Sequence, residues 1–479
     1  MSEQTLQNTK IIATVGPAIS SYDMLLQMAK AGVNVFRLNM SHADQDTHLQ
    51  VIKYLTKINE EYPFHLGILA DLQGPKLRVG KIKDNALDLK VDDVVIFTNT
   101  PCEGTASGIY MSYELFPQEV NTGDKVLVDD GKLIFEVLET DRTSTVKLKV
   151  LFGGILSSNK GVNLPDTAIS LPSLTEKDLK DLDFLIHQPV HWIALSFVRK
   201  AEDIDDLRSR LKKASHPARI IAKVEKPEAL KNIDQVIAAT DAVMVARGDL
   251  GVEVPIEKLP GIQKEIVRRC IEQSKPVIVA TQMMESMITN PSPTRAEVTD
   301  VANAVLDGAD AVMLSAETSV GKHPVRVVEA MSKIVMETER HFQANQSRMP
   351  QLDHSSPNFL ADVLCLNAVK TSNDLDAKAI TGMTTSGYTA FKISSFRPKA
   401  EIFMFSTIPH MLSTLNLLWG VQCFLYENKD ESTDELMNQV GKSLKEQGLL
   451  QKGDVIVNTG TVPIQLIGRT NMMKISVIE

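Results

Sequence analysis

The chain has 479 residues, of which 43% are hydrophobic and 23% charged, and its formal net charge is −9. This length is too great for one ordinary domain, and the composition is that of a folded globular protein. The acidic balance argues against a nucleic-acid partner. No apolar run approaches the roughly 18 residues of a membrane span, and the opening MSEQTLQNTK lacks the apolar core of a signal peptide. We therefore expect several domains and neither nucleic-acid nor membrane partners.

The cysteines and the glycine motifs exclude further classes of protein. The four cysteines are far apart, so no Cys-x-x-Cys metal or redox motif exists, and reduced thiols in a cytoplasmic protein are expected. GPKLRVGK has one residue too many between its glycines for a P-loop and lacks the following Ser or Thr. No G-x-G-x-x-G fingerprint follows a strand. Neither a P-loop nor a Rossmann nucleotide site is predicted.

Short apolar runs alternate with amphipathic helical patterns through most of residues 1–340. Each run is bounded by turn residues, as expected of a strand that is buried on both faces. The eight runs are KIIATV (10–15), VNVFRL (33–38), LGILA (66–70), WIALSF (192–197), ARIIAKV (218–224), DAVMVA (241–246), PVIVAT (276–281) and ADAVMLS (309–315). A doubly wound open sheet shares this alternation, but the count of eight favours a (β/α)8 TIM barrel.

The alternation breaks once, after the third strand. KVLVDDGKLIFEV and STVKLKV have a period of two, and Asp-Asp-Gly marks a hairpin turn in the first of them. HFQANQSRMPQLDHSSP has the composition of a linker, and a smaller α/β unit with strands such as AEIFMFS and DVIVNT follows it. The predicted domains are barrel (1–73), inserted β-rich lid (74–168), barrel (169–342) and C-terminal α/β regulatory domain (343–479).

The chemistry of a barrel collects at the carboxyl ends of its strands. In chain order these ends supply Thr14, Pro17, Arg37, Asn39, Ser41, His42 and Asp71, then Lys223, Glu225, Arg247, Gly248, Asp249, Thr281, Gln282, Ser315 and Glu317. The ring mixes hard oxygen ligands with Lys and Arg and offers no obvious Cys or Ser nucleophile. Carboxylates that hold a divalent metal, with cations facing a moving phosphoryl group, need residues of these types.

Each of these motifs also has a plainer interpretation. AKVEKP on its own fits a strand that ends in a salt-bridged turn, and ARGDLG fits a turn with a helix N-cap. LNMSH fits the cap of the next helix, and the Met-rich ATQMMESM fits core packing. The joint placement of the motifs at one end of the predicted barrel favours the functional interpretation.

Seven stretches together resemble one known family. They are TKIIATVGPA, NVFRLNMSH, LADLQGPKLR, AKVEKPEAL, VMVARGDLGVEVP, ATQMMESM and PTRAEVTDVANAVLDGADAVMLSAET. In this order, with the insertion in place, they resemble the pyruvate kinases. The resemblance implies a homotetramer that transfers a phosphoryl group from phosphoenolpyruvate to ADP with Mg²⁺ or Mn²⁺. Pyruvate and ATP would be the products, in the last step of glycolysis, under allosteric control by a phosphorylated small molecule.

The resemblance also implies roles for the ring residues. Glu225 and Asp249 would hold the metal, while Lys223 and Arg37 would bind the transferring phosphoryl group. The substrate carboxylate would lie near Asp249, the backbone of Gly248 and the side chain of Thr281. Thr281 and Ser315 match positions through which the family is thought to relay a proton to the enolate.

Nucleotide or phosphate contacts are implied by resemblance for Asn39, Ser41, His42, Arg78 and Lys160. Lys160 belongs to the inserted domain, which in this family closes over the cleft and excludes water. Two positions near the nucleotide depart from the family pattern. Val320 stands where members often have Lys, and Thr47 stands where they often have an aromatic residue. Base preference therefore stays open.

A monovalent-cation site is the clearest departure. Many relatives hold K⁺ at positions matching Asn39, Ser41, Asp71 and the backbone carbonyl of Leu72. Here Lys76 replaces an acid, and Leu72, Gln73 and Val79 replace Thr, Lys and Thr. A tethered ammonium would make a second monovalent cation redundant or repel it. The chain resembles the potassium-independent branch, so we expect no K⁺ requirement, with the remaining residues as a vestigial site.

The C-terminal stretch ITGMTTSGYTAFKISSFRP sets hydroxyls between a strand and a helix. The residues concerned are Thr384, Thr385, Ser386, Gly387 and Thr389. Hydroxyls and N–H groups at a helix start form a phosphate cradle, and the resemblance implies an effector site. A polar capping loop is the plainer interpretation. VPIQLIGRTN departs from the sugar-bisphosphate pattern, so the effector stays open.

Two other function classes fit part of the sequence. A metal-dependent lyase or aldolase acting on pyruvate enolates would use the same barrel with Glu225, Asp249 and Mg²⁺, but it has no nucleotide for Lys160 and the inserted domain to cover. A non-catalytic metabolite sensor would keep the C-terminal pocket, but it does not need Lys223 together with both carboxylates.

Overall fold

The computed structural model describes residues 7–341, 352–427, 432–462 and 470–479. The first part of the barrel contains β1 (Lys10–Thr14), α1 (Tyr22–Ala31), β2 (Val35–Asn39), α2 (Gln45–Glu61) and β3 (Gly67–Asp71). The insertion contains β4 (Leu87–Leu89), β5 (Val94–Thr98), β6 (Ile109–Tyr110), α3 (Phe116–Glu119), β7 (Lys125–Val128), β8 (Leu133–Thr140), β9 (Thr145–Phe152), β10 (Gly154–Leu156) and β11 (Val162–Asn163).

The barrel then resumes, and a C-terminal domain follows it. The second part of the barrel contains α4 (Glu176–Leu185), β12 (Trp192–Leu195), α5 (Ala201–Lys213), β13 (Arg219–Val224), α6 (Pro227–Lys231), α7 (Ile233–Ala239), β14 (Ala242–Ala246), α8 (Arg247–Glu253), α9 (Leu259–Glu272), β15 (Val277–Ala280), α10 (Arg295–Asp307), β16 (Ala311–Leu314), α11 (Ala316–Ser319) and α12 (Pro324–His341). The C-terminal domain contains α13 (Phe359–Asp374), β17 (Ala379–Met383), α14 (Tyr388–Ser395), β18 (Glu401–Ser406), α15 (Pro409–Leu415), β19 (Val421–Leu425), α16 (Thr433–Glu446), β20 (Val455–Gly460) and β21 (Met472–Val477).

Eight parallel strands close into a barrel in the order β1-β16-β15-β14-β13-β12-β3-β2. Closure is made by β1, which pairs with β2 on one side and with β16 on the other, where Ile11 stands opposite Val312. One core cluster takes side chains from all eight strands, including Ile12, Trp192 and Ile278. All eight strands predicted from the apolar runs form, and the closed ring confirms the barrel against the open sheet.

The insertion is a β-rich domain, as the period-two segments predicted. Six strands form a sheet in the order β11-β7-β8-β9-β5-β6, and β10 pairs separately with β4. Asp129, Asp130 and Gly131 all have positive φ and connect β7 to β8 as a hairpin. A separate apolar core that includes Phe97, Phe116 and Phe135 stabilises this domain.

The C-terminal domain has a five-stranded sheet in the order β19-β18-β17-β20-β21, and only β21 runs antiparallel to its neighbour. It packs against the barrel through polar contacts: Trp192 Nε1 donates to the carbonyl of Thr414 at 3.1 Å, and Arg397 lies 2.9 Å from Asp310. Most of the predicted linker lies outside the described residues. None of the helices in the described ranges combines the length and the hydropathy of a transmembrane span.

Candidate functional site

Arg37 and Asp71 form one ion pair at the carboxyl rim of the barrel. Arg37 Nε donates to Asp71 Oδ2 at 2.7 Å, and Nη2 lies 2.6 Å from the same oxygen. Nη1 donates to Thr14 Oγ1 at 3.0 Å. The side chain of Asp71 is 1% exposed and that of Arg37 is 12% exposed, so the guanidinium is fixed while part of it faces the cleft.

Lys223 is held between two carboxylates on the next part of the rim. Lys223 and Glu225 stand two residues apart at the end of β13, and this spacing puts both side chains on one face of a strand. Lys223 Nζ lies 2.7 Å from Glu225 Oε1 and 3.3 Å from Asp71 Oδ1. It also donates to Ser196 Oγ at 2.8 Å. The ammonium therefore has a fixed position beside the Arg37 guanidinium.

The charges at the rim control each other's titration. Burial lowers the pKa of Lys223, but Asp71 and Glu225 outweigh burial and raise it above its ordinary value. Burial raises the pKa of Asp71, but Lys223 and Arg37 hold it below the ordinary value. Burial raises the pKa of Glu225, and Lys223 opposes this only in part. Lys223 and Asp71 are therefore charged at neutral pH.

Asp249, Gly248 and Thr281 lie together at the next strand ends. The N–H of Gly248 donates to Thr281 Oγ1 at 2.7 Å, and Thr281 has a φ of 72°. Such a φ is costly for a β-branched residue and is characteristic of functional sites. Arg247 binds Asp300 through both ends of its guanidinium at 2.7 Å, so it anchors the start of α8 and does not face the cleft.

Asp249 is close enough to Glu225 for its charge to raise the pKa of the Glu225 carboxyl. Among the described residues, no group of three or more His, Cys, Asp and Glu side chains is arranged to hold a metal. Mg²⁺ characteristically takes one or two protein carboxylates and completes its shell with water and substrate oxygens. This donor pair therefore fits Mg²⁺ or Mn²⁺.

Ser315 follows β16 and is held by its neighbour. Its N–H donates to Glu317 Oε2 at 2.7 Å, and the N–H of Met284 donates to Glu317 Oε1 at 3.1 Å. Glu317 is 2% exposed, so it orients the backbone here and does not line an open cleft. Met283, Met284 and Met287 are fully buried, which supports the packing interpretation of the Met-rich motif.

The loop after β2 carries Asn39, Ser41 and His42. Asn39 stands in register with Asp71, and its Oδ1 accepts the N–H of Ser41 at 3.1 Å. Asp44, and not the LNMSH motif itself, caps α2. The carbonyl of Leu72 accepts Ser196 Oγ–H at 2.7 Å. The structure thus brings Asn39, Asp71 and Leu72 together at one strand pair.

The insertion supplies Lys76, Arg78 and Lys160. Arg78 Nη1 donates to the carbonyl of Asn159 at 2.9 Å, and Lys160 Nζ lies 2.9 Å from Asp129 Oδ1. Lys76 is exposed and lines a small cavity of about 30 Å³ that Asp249 also lines. Lys76 and Asp249 therefore face one space between the insertion and the barrel rim.

Sequence reasoning missed the contribution of β12. The residues after it are Ser196, which binds Lys223, and Phe197, whose N–H donates to Glu225 Oε2 at 2.8 Å. Phe197 has a φ of 54°. The sequence contained a signal that could have found them. WIALSF was predicted as a barrel strand, yet no residue at its carboxyl end was included among the candidate site residues. The buried pair of Lys226 and Glu253 was also missed.

The C-terminal domain contains a cavity of about 380 Å³. Four predicted effector residues line it: Thr384, Thr385, Ser386 and Thr389. Gly387 does not line it but precedes α14 with a φ of 82°, and its N–H donates to Thr384 Oγ1 at 2.9 Å. No Lys, Arg, Asp or Glu of the described part of the chain lines this cavity. The loop at 463–469 lies outside the described residues.

A closed barrel that gathers an ammonium, a guanidinium and two neighbouring carboxylates at its carboxyl rim has the arrangement of a barrel enzyme for an anionic substrate. A family model for the barrel domain of pyruvate kinase matches residues 6–328, and a model for the pyruvate kinase alpha/beta domain matches residues 362–476. The chain belongs to the pyruvate kinase family and is a phosphotransferase.

Individual relatives agree with the family models. The pyruvate kinase of Corynebacterium efficiens is 41% identical over 98% of each chain, and that of Mycobacterium tuberculosis is 40% identical over 97% of each chain. The structure of a pyruvate kinase from Cryptosporidium parvum has a TM-score of 0.92 at 32% identity. That match covers 99% of this chain and 96% of the other.

Proposed function

We propose that this chain transfers the phosphoryl group of phosphoenolpyruvate to ADP and so forms pyruvate and ATP, the last step of glycolysis, in the cytoplasm. The observation that carries the proposal is Lys223, whose charge is fixed by Asp71 and Glu225 beside the Arg37 guanidinium. Cations that are already in place where charge moves stabilise a phosphoryl-transfer transition state without reorganisation.

In this proposal Arg37 and Lys223 bind the oxygens of the transferring phosphoryl group. Glu225 and Asp249 would hold Mg²⁺ or Mn²⁺, which would supply positive charge against the anionic oxygens of the substrate. The substrate carboxylate would share this metal with Asp249, and the backbone of Gly248 and the side chain of Thr281 would position it. The hydrogen bond from the Gly248 N–H to Thr281 supports this pairing, because it joins the two groups at one point.

Loss of the phosphoryl group leaves an enolate that needs a proton and no covalent nucleophile. We assign the relay of this proton to Thr281 and Ser315, which stand at the ends of neighbouring strands β15 and β16. Thr281 Oγ1 donates to the carbonyl of Ala280 at 2.5 Å, so its hydrogen is oriented.

The nucleotide would meet Asn39, Ser41 and His42 from the barrel, and Arg78 and Lys160 from the insertion. Lys160 is paired with Asp129 at 2.9 Å, so binding of a nucleotide phosphate would compete with this half-buried pair. The Lys160 side chain is 36% exposed, so its ammonium can reach a ligand from the solvent side. We assign residues 74–168 as the lid, residues 1–73 and 169–342 as the barrel, and residues 343–479 as the regulatory domain.

We further propose that the enzyme needs no K⁺. Lys76 faces the cavity that Asp249 lines, and there its ammonium provides the monovalent charge. Asn39, Ser41, Asp71 and the carbonyl of Leu72 remain as a vestigial cation site. The Leu72 carbonyl already accepts a hydrogen bond from Ser196, which supports the proposal that it no longer binds a cation.

Pyruvate formation from phosphoenolpyruvate and ADP with Mg²⁺, measured with K⁺ and with a bulky organic cation instead, tests both proposals. Equal turnover is expected in both buffers. Lys76→Glu should then lose activity on the order of tenfold in the organic cation and recover it with K⁺. Lys83→Glu, on an exposed turn of the insertion, is the control. Turnover in the wild type only with K⁺ would reject the role of Lys76.

The same assay separates the other function classes. A lyase or aldolase would cleave a carbon–carbon bond without ADP, and a sensor would bind phosphoenolpyruvate without turnover.

We also propose a homotetramer with a phosphorylated effector at Thr384, Thr385, Ser386, Gly387 and Thr389. The cavity of about 380 Å³ beside these hydroxyls supports the effector site. Mass measurement in solution tests the tetramer, and a stable monomer would reject it.

A further inference from the structure

Glu253 is a buried carboxylate that the proposed chemistry does not use. It is the last residue of α8, the helix whose first turn carries Asp249. Its Oε1 accepts hydrogen bonds from Lys226 Nζ at 2.6 Å and from Asn163 Nδ2 at 2.7 Å. The side chains of Lys226 and Glu253 are 8% and 1% exposed. One oxygen therefore joins two parts of the chain that are far apart in sequence.

The Asn163 contact ties the insertion to the barrel. Asn163 belongs to β11, a strand of the inserted sheet, and Glu253 belongs to the barrel. A second approach lies beside it: a Cβ built on Gly131, in the β7–β8 hairpin, would stand 3.8 Å from Val252 Cγ1. The end of α8 therefore contacts the insertion directly, so a shift of the insertion would alter these contacts.

The Lys226 contact leads to the other metal-binding carboxylate. Lys226 directly follows Glu225, and its ammonium lies 5.9 Å from the centre of the Phe197 ring. The N–H of Phe197 donates to Glu225 Oε2 at 2.8 Å. Lys226 is therefore packed against the residue that orients Glu225, while Glu253 ends the helix that carries Asp249.

The second oxygen of Glu253 makes the arrangement unusual. Glu253 Oε2 is buried and has no hydrogen-bond partner among the described residues. A buried acceptor without a donor is costly, and a group that acted only as a structural clamp would gain by satisfying both oxygens. A free acceptor beside two donors gives the carboxylate room to exchange partners when the insertion shifts.

We propose that Glu253 is a positioning residue that couples the position of the inserted domain to the geometry of Glu225 and Asp249. This inference rests on the proposed function, in which these two carboxylates hold the metal. Withdrawal of Asn163 leaves Lys226 as the only donor to Glu253 among the described residues. The pair then relaxes, and it changes the orientation of both metal-binding carboxylates together.

Asn163→Ala tests the coupling, because it cuts the link to the insertion while both members of the buried Lys226–Glu253 pair are kept. The Mg²⁺ concentration for half-maximal activity should rise, by less than the roughly tenfold that is typical when a direct partner of a metal ligand is lost, because Asn163 acts through Glu253. The dissociation constant for Mn²⁺, measured by electron paramagnetic resonance without turnover, should rise by the same factor. Asn99→Ala is the matched control, because Asn99 bonds only carbonyls of the insertion, those of Glu114 and Thr143, in the described contacts.

Glu253→Gln and the double variant complete the design. If the effect of Asn163 passes through Glu253, Asn163→Ala should add nothing to Glu253→Gln. Unchanged Mn²⁺ binding in Asn163→Ala, or additive losses in the double variant, would overturn the inference. The pair Asn163→Ala and Asn99→Ala decides the question even if Glu253→Gln fails to fold.

Glu225→Gln separates this inference from the proposal on which it rests. It should abolish tight Mn²⁺ binding if Glu225 is a metal ligand. Retained Mn²⁺ binding in Glu225→Gln would overturn both the proposed metal site and the inference. Loss of binding in Glu225→Gln with no change in Asn163→Ala would overturn the inference alone.

Discussion

The barrel rim and the C-terminal cavity solve different problems with different residues. At the rim, Lys223 and Asp71 are buried charges in fixed pairs, and Arg37 pairs with Asp71 while part of its guanidinium faces the cleft. The C-terminal cavity has about 380 Å³ of space and a neutral lining of hydroxyls and apolar side chains among the described residues. The difference indicates that moving charge requires opposite charges already in place, whereas holding a ligand requires shape and a few donors.

The two regions also differ in what disturbs them. A buried ion pair loses stability when one partner is removed, because the other charge is left without compensation. A neutral hydroxyl can be removed with only the loss of one hydrogen bond. The variants below use this contrast, from the largest expected effect to the smallest.

Lys223→Met should produce the largest loss. The variant removes the ammonium that we propose binds the phosphoryl group, and one such group is worth about 10³-fold in kcat. Pyruvate formation under saturating substrates measures this loss. Lys213→Met, on the exposed end of α5, is the control. Activity within tenfold of the wild type would show that fixed charge at the rim is dispensable.

Asp71→Asn should destabilise the fold as well as the site. It leaves Arg37 and Lys223 with reduced compensation, and breaking a buried pair costs about 3–5 kcal/mol. Urea denaturation measures the free energy of unfolding. Asp205→Asn, on the exposed face of α5, should change little. Equal stability of the two variants would mean that the rim charges do not depend on each other.

Thr385→Val should affect only the response to an effector. Thr385 is exposed and lines the C-terminal cavity, and valine keeps its shape without the hydroxyl. Allosteric coupling typically shifts half-saturation about tenfold, and this shift should shrink in the variant. A panel of sugar monophosphates and bisphosphates, titrated against phosphoenolpyruvate saturation, measures it. The exposed Thr299→Val variant is the control. If the effector shifted half-saturation equally in both variants, the Thr385 hydroxyl would not belong to the effector site.

Acid should weaken the contact between the barrel and the C-terminal domain. His191 and His410 pack together there with ring centres 4.6 Å apart and ring planes tilted by 35°, and burial lowers the pKa of both imidazoles. A lowered folded-state pKa means that stability is fully present above about pH 6.5 and is lost as the pH falls below it. Each unit of pKa difference is worth about 1.4 kcal/mol.

Denaturation at about pH 7.5 and about pH 5.5 measures this loss. His410→Gln should reduce the difference in unfolding free energy between the two conditions, and His187→Gln, on the surface, should leave it unchanged. If the difference in unfolding free energy between the two pH values were the same in the wild type and both variants, His191 and His410 would not be the cause of the acid sensitivity.

The sequence predicted the architecture because the barrel strands are buried on both faces. Such strands are continuous apolar runs, and eight of them specify the ring. The residues at their ends then follow from topology, so Arg37, Asp71, Lys223 and Glu225 were predicted to lie together before any distance was known. Thr384 and its neighbours were found in the same way, from hydroxyls between a strand and a helix.

The side-chain contacts inside the site could not be predicted from the sequence. Ser196 and Phe197 are ordinary strand-end residues, and only the fold brings them to Lys223 and Glu225. The pair of Lys226 and Glu253 depends on the path of α8, and Asn163 reaches it from another domain. Contacts between residues distant in sequence depend on packing, which a pattern of periodicity does not contain.

Closure of the barrel through β1 and β16 has a consequence for the life of the chain on the ribosome. The ring can close only after Ala311–Leu314 have been synthesised, because Lys10–Thr14 pair with them. At about 5–20 residues per second, some 300 residues take roughly 15–60 s to synthesise. During that interval β1 offers an unpaired apolar edge, which is a hazard for aggregation. The insertion pairs its strands within residues 87–163, so it can finish folding long before the barrel that surrounds it.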